Sequence, residues 1–170
     1  MKDIASLSVD ISKYGERVID NLIKAQSNTA YVVQQDAKYL APVNTGKYRN
    51  SIQLGETKYD GNTITTEVYT NATVYTSEGV AYNLGRLLEE GTSPHLIEPV
   101  KAKYLHFRIM GEDIFVKRVN HPGTVAQPHM IPALQKNIAL YKSNIRKALK
   151  EAKLWEKKSK QSLRKYKILK

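Results

Sequence analysis

Four histidines, two adjacent glutamates and a basic run are the residues of this chain whose types could do chemistry. His95, His106, His121 and His129 offer imidazole nitrogens, but their spacing matches no metal-ligand motif, and neither cysteine nor a carboxylate pair accompanies them. Glu89 and Glu90 would serve as general acid and base only if a cleft raised one pKa. Neighbouring helical side chains point about 100° apart, so an outward, solvated face is the expectation for both. Gly79, Gly85 and Gly91 recur without the Lys-Ser/Thr step of a phosphate loop. No serine sits in a Gly-x-Ser-x-Gly elbow. The expectation is therefore no enzyme: no catalytic residue, no cofactor and no metal.

Charge is concentrated at one end. Residues 150–170 hold nine Lys/Arg and two Glu, which supplies +7 of the net +11. Within that run Lys157, Lys158, Lys160, Arg164 and Lys165 are candidates to touch DNA phosphates or an acidic partner. A solvated helix end is the alternative reading of the same charges. At 170 residues the chain suits one domain. The reading is a single domain over 1–150 and a basic helical extension over 151–170. Eleven Tyr against two Phe and one Trp suggest half-buried faces and contact surfaces. Without cysteine there is no disulfide or thiolate chemistry. No apolar run reaches the ~20 residues of a membrane span. The amino terminus shows no signal peptide, so synthesis in the cytoplasm is expected.

The elements that would position these residues read as helix, strands, helix. Ile11, Tyr14, Val18, Leu22, Ala25, Thr29, Val33 and Leu40 form a three-four stripe that predicts a helix from about Leu7 to Leu40, weakened at Gly15 and ended by Ala41-Pro42. Strands are expected over Ser51 to Tyr59 and Thr63 to Tyr69, joined at Asp60-Gly61-Asn62, with Ile52, Leu54, Ile64, Thr66 and Val68 inward. Another strand is expected at Thr73 to Tyr75. A short helix over Val80 to Glu90 would turn Ala81, Leu84, Leu87 and Leu88 inward and stop at Gly91. Thr92 to Val100 reads as an extended loop. Tyr104 to Ile109 and Ile114 to Val119 make a hairpin around Gly111. Pro122-Gly123 fits a type II turn. A last helix is expected to begin near Pro132, with Ile131, Leu134, Ile138, Tyr141, Ile145, Ala148, Ala152 and Trp155 along one stripe.

Three ordered segments resemble the siphophage neck and minor-tail component family, the tail-component proteins encoded beside head–tail joining genes. Leu40-Ala-Pro-Val-Asn-Thr-Gly-Lys-Tyr-Arg-Asn-Ser-Ile52 is similar to that family's turn after an N-terminal helix. Ala81-Tyr-Asn-Leu-Gly-Arg-Leu-Leu-Glu-Glu-Gly-Thr-Ser93, with Ile97-Glu-Pro99, resembles its Glu-x-Gly-Thr stretch. Val119-Asn-His-Pro-Gly-Thr-Val-Ala-Gln-Pro-His-Met-Ile-Pro-Ala-Leu134 resembles its His-Pro-Gly segment, with His129-Met130 where the family has Phe-Leu.

The resemblance implies an α+β fold: a small, mostly antiparallel sheet packed against long N- and C-terminal helices, with a short central helix. It implies a structural virion protein of a long-tailed bacteriophage, a neck or tail-completion subunit forming a homo-oligomeric ring at the portal–tail junction. Tail terminator or minor tail protein is the neighbouring role, and a DNA-binding module built on the basic helix is the alternative of another class. The expected partners are other copies of the chain, head-completion or connector proteins, a tail terminator or tail tube protein, and genomic DNA, with no membrane and no small-molecule substrate. Thr45, Gly46, Arg49, Gly91, Thr92, His121, Pro122, Gly123 and Gln127 are the candidate subunit contacts.

Overall fold

A computed structural model describes the backbone of residues 3–10, 15–75, 79–100 and 102–168, and the side chains of residues 15–75, 79–100 and 102–153. In chain order the elements are β1 (Asp3–Asp10), α1 (Glu16–Leu40), α2 (Lys47–Asn50), β2 (Ile52–Leu54), β3 (Lys58–Tyr59), β4 (Thr63–Thr70), β5 (Thr73–Tyr75), β6 (Ala81–Asn83), α3 (Leu84–Glu90), β7 (His95–Ile97), β8 (Leu105–Ile109), β9 (Glu112–Val116), β10 (Val119–His121) and α4 (Met130–Ile168). The class is α+β, as expected.

The body is one antiparallel sheet covered by a helix pair. Strand β4 is central, with β1 along one edge and β2 and β3 along the other. Alternate β4 residues Ile64, Thr66, Val68 and Thr70 are buried, the period of two that a one-sided sheet requires. Helix α1 lies against this face. Ala30, Val33 and Ala37 pack with Ile52 and Val68, while Val18 and Leu22 pack with Ile64. Two glutamines fix the helix on the strands. Buried Gln26 donates to the Ile64 carbonyl at 2.8 Å and Gln34 to the Ile52 carbonyl at 3.1 Å, so these polar groups are satisfied inside the core.

Helix α4 runs antiparallel to α1. Met130 and Ala133 join the core near Ala30 and Ala37, and Ala148 and Ala152 join it near Val18 and Leu22. Alanines at the crossing let the axes approach closely. The seam is also polar. Asn137 donates to Asp36 at 2.6 Å, and Asn144 donates to Thr29 at 2.9 Å. Lys136 adds a 2.8 Å bond to Asp36, and this bond is the largest cause holding the Asp36 carboxyl below its usual value. A lowered folded pKa gives stability that is present above the ordinary carboxylate value and lost as pH falls through the lowered one. Asp36→Asn is expected to reduce stability at pH 7 by about 1 kcal/mol, with the difference from the parent shrinking as pH falls below the ordinary carboxylate range. Paired denaturation curves at pH 7 and below that range check this.

Several expectations are corrected. Asp3–Asp10 is a strand, not the start of the helix; the alternation Ser6-Leu7-Ser8-Val9 carries a period of two that the helical stripe overran. Leu7 and Val9 stand opposite Thr66 and Ile64 in the register. Gly15 is the helix N-cap, its carbonyl accepting from Val18 and Ile19. Ile11, Tyr14 and the Trp155 side chain lie outside the described residues. Leu40 is 43% exposed. Ala81 to Asn83 form β6, and the short helix begins only at Leu84, where the Asn83 side chain accepts from the Arg86 amide. Its buried residue is Gly85, with Leu84, Leu87 and Leu88 half-buried and Ala81 exposed. The loop from Thr92 contains β7, which pairs with β10.

In α4 the inward stripe is Met130, Ala133, Asn137, Tyr141, Asn144, Ala148 and Ala152, with the expected Leu134 and Ile145 packed partly buried beside it; Ile131 and Ile138 are exposed. Polar Asn137 and Asn144 take inward positions that an apolar tally skips. The helix starts two residues before Pro132, which sits in its first turn, where a missing amide hydrogen costs little. At ~1.5 Å per residue it is roughly 58 Å long. It crosses residue 150 without a break, and Ala152 is the last buried side chain among the described residues.

Candidate interaction site

The three sequence segments meet where α3 ends and α4 begins. Glu89 lies at the end of α3, and its side chain is 10% exposed. Its carboxylate accepts from the backbone amides of His129 and Met130 through Oε2, at 2.9 and 3.0 Å, and of Ile131 through Oε1, at 2.9 Å. The first amides of a helix have no intrahelical acceptor and carry the positive end of its dipole. One carboxylate from a distant segment thus satisfies three of them. The expected outward orientation is corrected for Glu89 and holds for Glu90, which pairs with Arg86 on the surface at 2.9 Å.

His129 is completely buried beside this cap. Its Nδ1 lies 2.9 Å from the Gln127 carbonyl and 3.2 Å from Glu89 Oε2, while Nε2 lies 2.5 Å from the Tyr48 hydroxyl. A carbonyl can only accept, so Nδ1 carries a hydrogen, and Nε2 shares a hydrogen bond with the Tyr48 hydroxyl. Tyr48 belongs to the first segment, Glu89 to the second and His129 to the third. His129 therefore joins all three, and its hydrogen bonds satisfy a polar ring buried in the body. No spacing rule pairs positions 48 and 129, so sequence reading missed both this bond and the cap.

Beyond the cap two rails leave the body side by side. Thr92 and Thr124 exchange backbone bonds of 3.0 and 3.1 Å, and the Thr124 amide also reaches Thr92 Oγ1. Next outward, β7 pairs with β10, placing His95 opposite His121 with ring centroids 4.9 Å apart. Farther along, β8 pairs with β9, and His106 stacks on Phe115 at 4.6 Å while bonding Asp113 at 2.9 Å. On the return rail only Lys117 and Arg118 separate Val116, which pairs with Leu105, from Val119, which pairs with Ile97. The root is tight. A Cβ on Gly91 would lie 2.5 Å from the Thr124 carbonyl oxygen, and one on Gly123 would overlap that of Thr92.

A groove of about 600 Å³ lies beside this root, lined by residues 42–48 with Leu84, Leu88 and Gln127. It brings together Thr45, Gly46 and Gln127 of the candidate contacts. Gly91, Thr92, His121, Pro122 and Gly123 form the root of the rails, and Arg49 is an exposed residue of α2. Gln127 also donates its amide to the Leu88 carbonyl at 2.7 Å. The side chains of Lys157, Lys158, Lys160, Arg164 and Lys165 lie outside the described residues; their backbone continues α4. His106 stands apart from His95 and His121 on the outer ribbon, and His129 is buried in the body. Among the described residues no three His, Cys, Asp or Glu side chains gather as a metal would need.

A profile of bacteriophage HK97-gp10-like tail components matches residues 5–91, half of the chain. The chain belongs to this tail-component family. The HK97-gp10-like match spans β1, α1, the sheet and α3, and ends at Gly91. The arm, the His-Pro-Gly segment and α4 lie beyond it. No curated protein and no solved structure matches the chain. Membership makes this a bacteriophage tail component, a virion protein that works among other virion proteins.

Proposed function

We propose that the chain is a neck or tail-completion subunit of a long-tailed phage, set in a ring at the portal–tail junction and free of catalysis. The observation that carries this reading is the construction at the shoulder. Residues from three segments are spent on anchoring a projecting double rail to a rigid helix, rather than on gathering titratable groups around a pocket. The adjoining groove combines apolar side chains with Asn44, Thr45, Tyr48, Gln127 and one lysine, a lining suited to docking. A pre-ordered arm loses less entropy on association than a flexible loop. A heterologous contact repeated by rotation closes a ring. The test is a phage from which the protein is deleted: its lysates should contain DNA-filled heads and separate tails.

The basic end of α4 supports an additional DNA contact along the channel, since the helix runs on past Ala152, the last buried side chain among the described residues, with its charge rising. On this reading the protein binds duplex DNA with an affinity that falls steeply as salt rises. Truncation after Lys150 should abolish that binding in a filter assay. Retention of full affinity by the truncated chain would remove the DNA role.

A further inference from the structure

The turn that closes the arm has a residue out of keeping with its backbone. Ile109 pairs with Glu112, leaving Met110-Gly111 as a two-residue loop. Both have positive φ, 50° and 93°, the requirement of a type I′ turn that favours Asn or Gly at the first position. Met110 is the one non-glycine residue with positive φ among the described residues. It is also fully exposed, and Ile109 beside it is 50% exposed. A strained backbone that presents a long apolar side chain to water points to a contact outside the subunit. Leu105, Phe107, Ile114 and Val116 line one face of the same ribbon and are only half-covered. A two-stranded ribbon of this kind is marginal by itself in water.

The surface that complements this tip is present on the chain itself. The groove beside the shoulder has apolar walls at Pro42, Val43, Leu84 and Leu88, with Val43 57% exposed, and Lys47 is part of the same lining. The tip is apolar at Ile109 and Met110 and acidic at Glu112. Asp113 is already engaged by His106 and Arg108. Apolar surface and charge sign therefore both match, and methionine adapts to an irregular pocket. We infer that the β8–β9 tip of one copy docks in the groove of the next, Met110 against Val43 and Leu88, with Glu112 beside Lys47. Knob and hole are different patches, so the contact is head-to-tail and propagates around a closed ring. This inference rests on the proposal that copies of the chain associate in a ring.

The absence of native cysteine makes the test clean. In a chain carrying both Met110→Cys and Val43→Cys, oxidation should give a ladder of covalent oligomers on denaturing gels, and neither single variant should give it. Met110→Asn supplies the second arm. Asn suits the left-handed turn, so the fold should be at least as stable by thermal melting, while self-association measured by native mass spectrometry should weaken about tenfold or more. Glu112→Lys should weaken association, and Lys47→Glu in the same chain should restore it. Oligomers that form without the ladder and are indifferent to Met110→Asn would overturn this contact and leave the ring reading standing. A disulfide closed within one monomer of the double variant, with no ladder, would also overturn it. A parent chain that stays monomeric at high concentration and with its virion partners present would overturn both.

Discussion

Glu89→Ala is expected to destabilise the protein by about 3 kcal/mol, far more than an ordinary surface substitution. The carboxylate accepts from three amides at the start of α4 and touches the His129 ring. Removing it strands the amides of the buried residues His129 and Met130, while the Ile131 amide lies at the surface. It also frees the start of the helix whose alanines complete the core. Glu89→Gln keeps an acceptor oxygen and loses the charge, so about half of the effect should remain. Glu90→Ala is the control: Glu90 holds only an exposed pair with Arg86 and should change stability by about 0.5 kcal/mol or less. Urea denaturation of the three variants checks the order. Equal losses for Glu89→Ala and Glu90→Ala would mean that the carboxylate does not cap α4.

The second large effect lies at the root of the arm. Gly123 has φ of 87°, and an added Cβ would overlap the Thr92 carbonyl oxygen and come within 3.0 Å of the Ser93 backbone. Backbone cannot swing aside as a side-chain end can. Gly123→Ala therefore combines a left-handed penalty of about 1–2 kcal/mol with a steric term of similar size, about 3 kcal/mol in all. Gly61→Ala separates the two terms, because Gly61 has φ of 97° and open space around its Cβ position. That variant should lose only the left-handed penalty. Hydrogen exchange locates the damage: the Thr92 and Thr124 amides should lose protection in Gly123→Ala, while the α1–α4 core keeps it. A Gly123→Ala protein with both amides still protected would refute the close approach.

Much of this shoulder is legible in the chain alone, for reasons particular to its residues. Pro132 and Gly91 restrict or free φ in ways that hardly depend on context, so the neighbourhood of the helix start and the helix stop can be read directly. Pro122-Gly123, expected as a type II turn, instead continues the rail between the His121–His95 pair and the Thr124–Thr92 bridge. The hairpin at Asp60-Gly61-Asn62 can be read directly too, and there Asp60 accepts from the Asn62 and Thr63 amides. The misses share a different cause. Leu7 and Val9 fit both a helical stripe and a strand, and only pairing with β4 decides between them. Asn137 and Asn144 face inward because they meet Asp36 and Thr29 on another helix. Tyr48, Glu89 and His129 converge from three distant positions, and their roles exist only once the chain is folded. The signature segments are therefore visible as marks, while the interaction that unites them is not.

In vitro complementation of a deletion lysate tests the central claim most directly. Heads and tails made without this protein would be mixed with the purified parent chain, then counted by negative-stain microscopy and plated. The account predicts that the mixture gains joined, infectious particles, and that protein with Met110→Asn or Gly123→Ala restores far fewer. Normally joined particles in the untreated deletion lysate would contradict it, because a component of the head–tail junction cannot be dispensable for joining.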